Sequence, residues 1–528
     1  MIPAPAGTDA VRSDLAKLVR DGRASSSDPD RVAYARDLWP RHQIATRAGV
    51  AAVAPPAVVV WPSTTEELAA VIQYAAARQI PVVPYGAGSG VCGGVLPTTD
   101  TVLIDMKQMR ALQHVDRERL MCDAQAGMIG QHLEDDLNAA GFTLGHFPSS
   151  IYCSTLGGWI AGRSAGQCSG RYGKIEDMVL SMTVVDGTGR VLRAERGGEN
   201  HALLPLFIGS EGILGVVTDA RLRIAPAPTA SSRRFASYLM PNTEMGLDAI
   251  RRIYQAGLRP AVARLYDPFD SMIARRGGLR TEHKAAPKPK RTEAKPGLGL
   301  RALVQALRAP GVLNELIERV PDKAMGGAKL VLVWECDPII ADAELRAAKA
   351  ICARYDAQDT GEGPAKHWLS HRHSVSYRQS PMFTAGAFLD TMEVAATWSR
   401  LLPMYHAVRE ALSPHVFVMA HFSHAYPDGA SIYFTFAGSA RDDQACEVAY
   451  DRAWKAALKA VVGAGGTLSH HHGVGRSKAP AMRSEQGNAI DVVRELKRQL
   501  DPRGIFNRGA LIPDLDEHTP MAPPAEAE

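Results

Sequence analysis

No run of about 18 uncharged apolar residues occurs in the 528-residue chain, so no membrane-spanning helix is expected. Its start, MIPAPAGTDAVRSDL, lacks a basic segment followed by an apolar one, so no secretory signal is expected either. No C-x-x-C occurs. The seven cysteines (92, 122, 153, 168, 336, 352, 446) are odd in number and widely spaced, which excludes a disulfide frame and a structural zinc site. Reduced, buried thiols in a cytoplasmic protein are the remaining reading. Excess charge of one sign is missing too: a formal net charge of +4 gives no electrostatic reason to bind nucleic acid. No internal repeat is apparent in the sequence.

What is present is an ordinary globular composition, 46% apolar and 22% charged, with length for two or three domains. The most unusual stretch is Pro84–Gly94, PYGAGSGVCGG, entered from the apolar residues Ile80, Val82 and Val83. Glycine lets a loop turn its amides toward a phosphate and adopt positive φ. Gly88–Gly93 satisfies G-x-G-x-x-G, yet the helix that this motif requires does not follow. VLPTTD and the strand-like TVLIDM come next. Two readings stay open for the loop alone: a dinucleotide held between strands, or a structural turn.

From Ala57 the pattern is regular. Strands are expected at 57–61, 80–84, 101–106, 112–116 and 119–124. A helix opens on the capping box Ser63-Thr64-Thr65-Glu66 and runs to Arg78, and another spans 129–140. A second glycine-rich stretch runs from Gly145 through GHFPSSIYCSTLGGWIAGRSAG to Val185, ending in a hairpin over 179–194. GSEGILGVV (209–217) leads into a strand closed by Pro226 and Pro228, which mark the boundary. Beyond it, strands at 233–239, 261–266, 328–335, 388–393, 415–422 and 430–437 alternate with helices at 243–256, 340–354, 397–412 and 441–462. The fold class is α+β. The domains are an N-terminal helical segment (1–53), a cofactor domain (54–230), a mixed α/β cap (231–469) and a C-terminal segment (470–528) that returns to the cofactor. The basic, Pro-rich stretch 281–297 reads as a disordered insertion, as does the tail 514–528. Residues 298–320 read either as a membrane-surface helix or as a lid packed on its own domain; the Pro310-Gly311 break favours the lid.

PYGAGSG, GHFPSSIYCSTLGGWIAGRSAG with YGKIED, and GSEGILGVV together resemble the FAD-binding domain of the PCMH-type (vanillyl-alcohol-oxidase) flavoprotein superfamily. Thr467–Gly475 (TLSHHHGVG), Tyr426 with Gly429 and Ile432-Tyr433-Phe434, and the closing Asp501-Pro502 and Ile505-Phe506-Asn507 resemble its alkyldihydroxyacetonephosphate synthase branch. The resemblance implies FAD contacts from Pro84, Tyr85, Gly86, Ala87, Gly88, Ser89 and Gly90. Others fall on Ser149, Ser150, Ile151, Tyr152, Cys153, Ser154 and Thr155, on Ala161, Gly162, Arg163 and Ser164, and on Glu211, Gly212, Ile213, Leu214, Gly215, Val216 and Val217. No histidine lies between Pro81 and Gly94, so non-covalent FAD is expected. His146 is placed beside the flavin.

The same resemblance implies catalysis by Tyr426, His470, His471 and His472, with His471 or His472 as base and Tyr426 passing a proton to a leaving carboxylate. Arg264, Arg372 and Arg378 would hold a substrate phosphate, because guanidinium offers it paired donors. His367, His371 and His373 crowd Arg372. The implied reaction exchanges the acyl group of acyl-dihydroxyacetone phosphate for a fatty alcohol without net electron transfer. The alternative is a flavin dehydrogenase or oxidase of a 2-hydroxy acid such as D-lactate or glycolate. Such enzymes pair a histidine couple around Gly-Asp-Gly with a Glu-His where this chain has His471-His472. Here Ile432 stands near the second histidine's place, and no glutamate adjoins the triplet. No bound metal is therefore expected, although His421, His424 and the triplet could supply ligands. A small-molecule or lipid-like phosphate substrate, no nucleic acid, a homodimer, and a cytoplasmic location with peripheral membrane contact left open complete the expectations.

Overall fold

The computed structural model describes residues 4–47, 54–275, 298–373 and 380–513. Residues 281–297 and 514–528, and Arg378, lie outside them.

Val58, Val59, Val60, Val82, Val102, Leu103 and Ile104 are all fully buried. Strands buried on both faces suit a parallel sheet. Accordingly β2 (Val58–Val60), β3 (Val82–Tyr85) and β4 (Val102–Asp105) run parallel, with β1 (Ala24–Ser25) antiparallel at the edge, in the order β1-β2-β4-β3. Helix α1 (Thr65–Arg78) joins β2 to β3. Its capping box sits one residue later than expected: the Glu67 N–H donates to Thr64 Oγ1 (3.2 Å), and Glu67 Oε2 accepts the Ser63 N–H (2.7 Å). With Thr64 as the cap, the third helical position is Glu67 rather than Glu66. The glycine loop alone connects β3 to β4, and no helix intervenes.

A second sheet is wholly antiparallel: β5 (Leu112–Asp116), β6 (Met121–Gln125), β7 (Val179–Val185), β8 (Val191–Glu195) and β9 (Val216–Arg223), in the order β5-β6-β9-β7-β8. Between β6 and β7 the chain forms α2 (Gly130–Ala139) and, among its short helices, α3 (Leu156–Ala161) and α4 (Ser169–Tyr172), for which the sequence predicts no element. The first carries two glycines and the second spans only four residues, so neither shows a helical period.

The third sheet holds seven antiparallel strands. They are β10 (Arg233–Met240), β11 (Val262–Tyr266), β12 (Ala328–Glu335), β13 (Gln358–Asp359), β14 (Ala387–Thr397), β15 (Phe417–Ala425) and β16 (Gly429–Ser439), in the order β13-β10-β12-β11-β15-β16-β14. Alternation sorts their faces. Ile432, Phe434 and Phe436 of β16, with Val418, Ala420 and Phe422 of β15, are buried in the core alongside α5 (Trp398–Leu412) and α6 (Asp443–Gly463). The opposite face carries a row set by register: Tyr266 pairs with His421, His421 with Tyr433, and Tyr433 with Glu393. That row is the floor of the site.

One apolar core runs from Met182 and Leu222 in the second sheet to Leu332 and Phe434 in the third. A separate core under the first sheet takes Ile505 and Phe506 from the chain's far end, where the Val82 N–H donates to Ile505 O (2.8 Å). Within 298–320, Val304 and Leu307 pack on Met382, Ala387 and Ala437, as a lid would, while Val312 and Leu316 remain exposed. Among the described residues no helix is long and apolar enough to cross a membrane.

Candidate active site

The glycine loop closes on the second glycine-rich stretch. A Cβ at Gly86 would lie 2.3 Å from Thr155 Oγ1, and one at Gly88 (φ +64°) 2.0 Å from Tyr85 Oη, so both positions require glycine. Thr155 caps α3 by accepting the Gly158 N–H (3.2 Å). The third stretch is tied in through the Glu211 N–H, which donates to Ala161 O (2.9 Å). Asn507 Nδ2 donates to both Gly94 O (2.8 Å) and Glu211 O (2.6 Å), fastening the chain's end to the loop. Lys107 Nζ donates to Gly86 O (2.9 Å) from a salt bridge with Asp105. Nothing in the local sequence around Lys107 marked it.

The histidine triplet lies across the floor of the third sheet. Buried Glu393 receives the backbone N–H groups of His470 (3.1 Å), His471 (3.2 Å) and His472 (3.3 Å), and His471 Nδ1 lies 3.4 Å from its Oε1. Sequence reasoning found no carboxylate adjoining the triplet; it comes from β14, about eighty residues earlier. His471 Nε2 meets Tyr433 Oη at 2.5 Å, and Tyr433 Oη meets His424 Nε2 at 3.0 Å. His424 Nδ1 meets Ser169 Oγ (3.0 Å), which in turn meets Tyr426 Oη (3.0 Å). A bulge in β15 between Ser423 and Ala425, with His424 at φ +50°, turns this imidazole into the site.

Burial dominates the electrostatics. It pushes His470 and His472 down to about 3, aided by His471, and pushes His424 well below its ordinary value. It drives Tyr426 well above the usual phenol range. Glu393 goes the other way: burial would raise its carboxyl, but the imidazole of His471 and its hydrogen bond hold it well below the usual range. Asp270, 3.5 Å from His421, is lifted to about 6 by burial despite Arg264.

Arg264 projects onto the same floor, 5.1 Å over the Tyr266 ring. Arg372 stacks 4.3 Å over Phe147, donates to His373 Nε2 (3.0 Å) and lies 3.9 Å from Cys168 Sγ, beside the GHFP turn. His367 and His371 stack on each other in exposed positions. His146 Nε2 meets Ser164 Oγ (3.1 Å), and its ring is pushed down to about 3 by burial and His471. Within the four predicted cofactor stretches, Ile151, Ile213, Leu214 and Val216 are core residues whose backbone alone could face a ligand, and Tyr152 is 55% exposed. The Glu211 carboxylate accepts the N–H groups of Val474 (2.5 Å) and Gly475 (2.7 Å), which ties it to the histidine loop. Glu393, His470 and His471 offer ligand atoms within 4.8 Å of one another, but both Glu393 oxygens already accept backbone N–H groups and His471 Nε2 is engaged by Tyr433.

The residues fit a flavin dinucleotide. Two glycine segments meet where side chains cannot, and His146 Nδ1, His470 Nε2 and Arg264 Nε are buried without a protein partner. Each such atom costs about 1–3 kcal/mol unless a ligand satisfies it.

A family model of the FAD binding domain matches residues 56–195, and one of the FAD-linked oxidases' C-terminal domain matches residues 229–511. The chain belongs to the FAD-linked oxidases; it is an FAD-dependent enzyme of the PCMH-type flavoproteins. Among its relatives is the alkyldihydroxyacetonephosphate synthase of Dictyostelium discoideum, 28% identical over 89% of this chain and 75% of that protein. A solved alkyldihydroxyacetonephosphate synthase superposes with a TM-score of 0.74 at 26% identity, covering 96% of this chain and 86% of the other. The glycolate oxidase subunit GlcD of Bacillus subtilis is 24% identical over 96% of this chain and 97% of that protein.

Proposed function

We propose that this enzyme exchanges the acyl group of acyl-dihydroxyacetone phosphate for a fatty alcohol, a reading that its similarity to alkyldihydroxyacetonephosphate synthases supports. The observation that carries the reading is the hydrogen-bonded set Tyr426, Ser169, His424, Tyr433, His471 and Glu393, which can hold and return a proton without an external redox partner. FAD, held non-covalently by the loops at 84–90, 149–155, 161–164 and 211–217, supplies an electrophilic ring when bound.

The protein's own groups do the rest. Arg264, with a guanidinium nitrogen lacking a protein partner, binds the substrate phosphate; Arg372 beside the GHFP turn is the second candidate. Tyr426 Oη exchanges a proton with the substrate and the departing carboxylate. His470 and His472, held neutral by burial, line the pocket as hydrogen-bonding partners rather than charges. Burial of Ser169, His424 and Glu393 keeps water from the inner contacts and strengthens them.

The second reading, hydride removal from a 2-hydroxy acid, is favoured by the GlcD relative and by the Glu393–His470–His471 grouping. Anaerobic mixing of the FAD-loaded enzyme decides. Alkyl-dihydroxyacetone phosphate and free fatty acid formed without an electron acceptor support the synthase. Bleaching of the flavin by D-lactate or glycolate, with no ether product, overturns it.

A further inference from the structure

We propose that Ser169, His424 and Tyr433 form a proton relay connecting Tyr426 to the His471–Glu393 pair, so that the base of the reaction lies two strands behind the group that touches substrate. The inference rests on the synthase reading for its chemistry and on hydrogen-bond geometry for its path. Five contacts run in series: Tyr426 Oη to Ser169 Oγ (3.0 Å), Ser169 Oγ to His424 Nδ1 (3.0 Å), His424 Nε2 to Tyr433 Oη (3.0 Å), Tyr433 Oη to His471 Nε2 (2.5 Å), and His471 Nδ1 to Glu393 Oε1 (3.4 Å).

Every interior member both donates and accepts, as hydroxyls and neutral imidazoles do. His471 Nε2 is committed to Tyr433, and its Nδ1 lies between His470 Nδ1 (2.9 Å) and Glu393 Oε1 (3.4 Å), so His471 does not itself reach substrate. Burial keeps His424 neutral, which a relay needs, and keeps Tyr426 from ionising unless its proton has somewhere to go.

The balance closes. At rest Tyr426 donates to Ser169, Ser169 to His424 Nδ1, His424 Nε2–H to Tyr433, Tyr433 to His471 Nε2, and His471 Nδ1–H to the Glu393 carboxylate. When Tyr426 oxygen takes the proton leaving the substrate carbon, each hydrogen bond shifts by one, and His471 becomes imidazolium beside ionised Glu393. The reverse shift returns one proton through Tyr426 to the departing carboxylate. No oxidant or further proton is consumed. Ser169, His424 and Tyr433 are thus positioning residues that act through Tyr426.

The FAD-loaded, full-length enzyme tests this in two arms. In the first, ¹⁵N spectra of histidine side chains should show His424 neutral and protonated on Nε2; an imidazolium, or a proton on Nδ1, overturns the relay. In the second, Ser169→Ala should lower kcat of acyl exchange about 100-fold with KM little changed. It should also abolish a multi-proton solvent isotope effect that the wild type shows, and Ser169→Thr should restore both. Activity of Ser169→Ala within twofold of wild type overturns the proposal. Flavin absorbance checks that the variant is loaded. If it is not loaded, or if the wild type performs no acyl exchange, the first arm alone decides, so the relay and the synthase reading fail separately.

Discussion

The glycine cradle and the histidine floor are two halves of one pocket built on opposite principles. The cradle is made of backbone: its shape comes from positions such as Gly86 and Gly88 where any side chain would collide. The floor is made of side chains, delivered by β11, β14, β15, β16, α4 and the 470–472 loop, with no two adjacent strands supplying the whole set. A backbone site can be written in one short stretch. A side-chain site is written in pieces, and only register joins them.

If that contrast is right, the two halves should fail differently. The largest effect is expected at Glu393, whose carboxylate organises three amides and an imidazole. Glu393→Ala should lower unfolding free energy by about 3–5 kcal/mol, because it leaves buried donors unanswered, and should abolish turnover; denaturant unfolding and a product assay measure both. Tyr426→Phe comes next: activity should fall about 10²- to 10⁴-fold while flavin content and melting temperature stay near wild type. A melting temperature that fell with it would make the phenol structural.

Gly88→Ala strikes the other half. It places a methyl against Tyr85 Oη at a left-handed backbone position, and should cost flavin occupancy, read as bound FAD per chain, while leaving the His424 and His471 resonances of the FAD-free protein in place.

Acid should act on the floor and the flavin-side His146 together. His146, His470 and His472 titrate near 3 when folded against about 6.5 when unfolded, so the unfolded chain binds more protons between those values. Glu393, depressed in the folded state, adds stability present above the ordinary carboxylate value and lost as pH falls through its lower folded one. Both contributions have the same sign: stability should fall as pH drops from about 6.5 toward 3. His470→Asn should flatten the upper part of the melting-temperature profile. The smallest effect is expected at Tyr152, which is mostly exposed; Tyr152→Ala should leave flavin content unchanged and shift stability by no more than about 0.5 kcal/mol.

The same contrast explains what could be read from the chain alone. Strands such as Val58–Val60 and Val179–Val185 announce themselves by buried β-branched runs, and the flavin loops by glycine spacing. The triplet stood out because three histidines beside Gly-Val-Gly are rare, whereas Tyr426 was marked only by the family resemblance. Ser169 did not, since it sits in a four-residue helix without periodicity. Glu393 did not, since a glutamate inside the strand AFLDTMEVAAT looks like a solvated position until pairing puts it opposite Tyr433. His424 was noticed as a metal candidate, but its role depends on a bulge that no local pattern announces. Arg372 was marked by its motif alone, and no local pattern announces that it stacks on Phe147 while Arg264 lies over Tyr266.

Asn507 reaches Gly94 across 413 residues of chain, and Ile505 holds the strand that delivers the glycine loop. During synthesis the nucleotide-binding half is therefore translated early yet cannot be completed until nearly everything after it has emerged. Cofactor uptake should accordingly be a late event in maturation, and a ribosome stalled just short of that asparagine would carry a polypeptide of about 500 residues with an unlocked cradle.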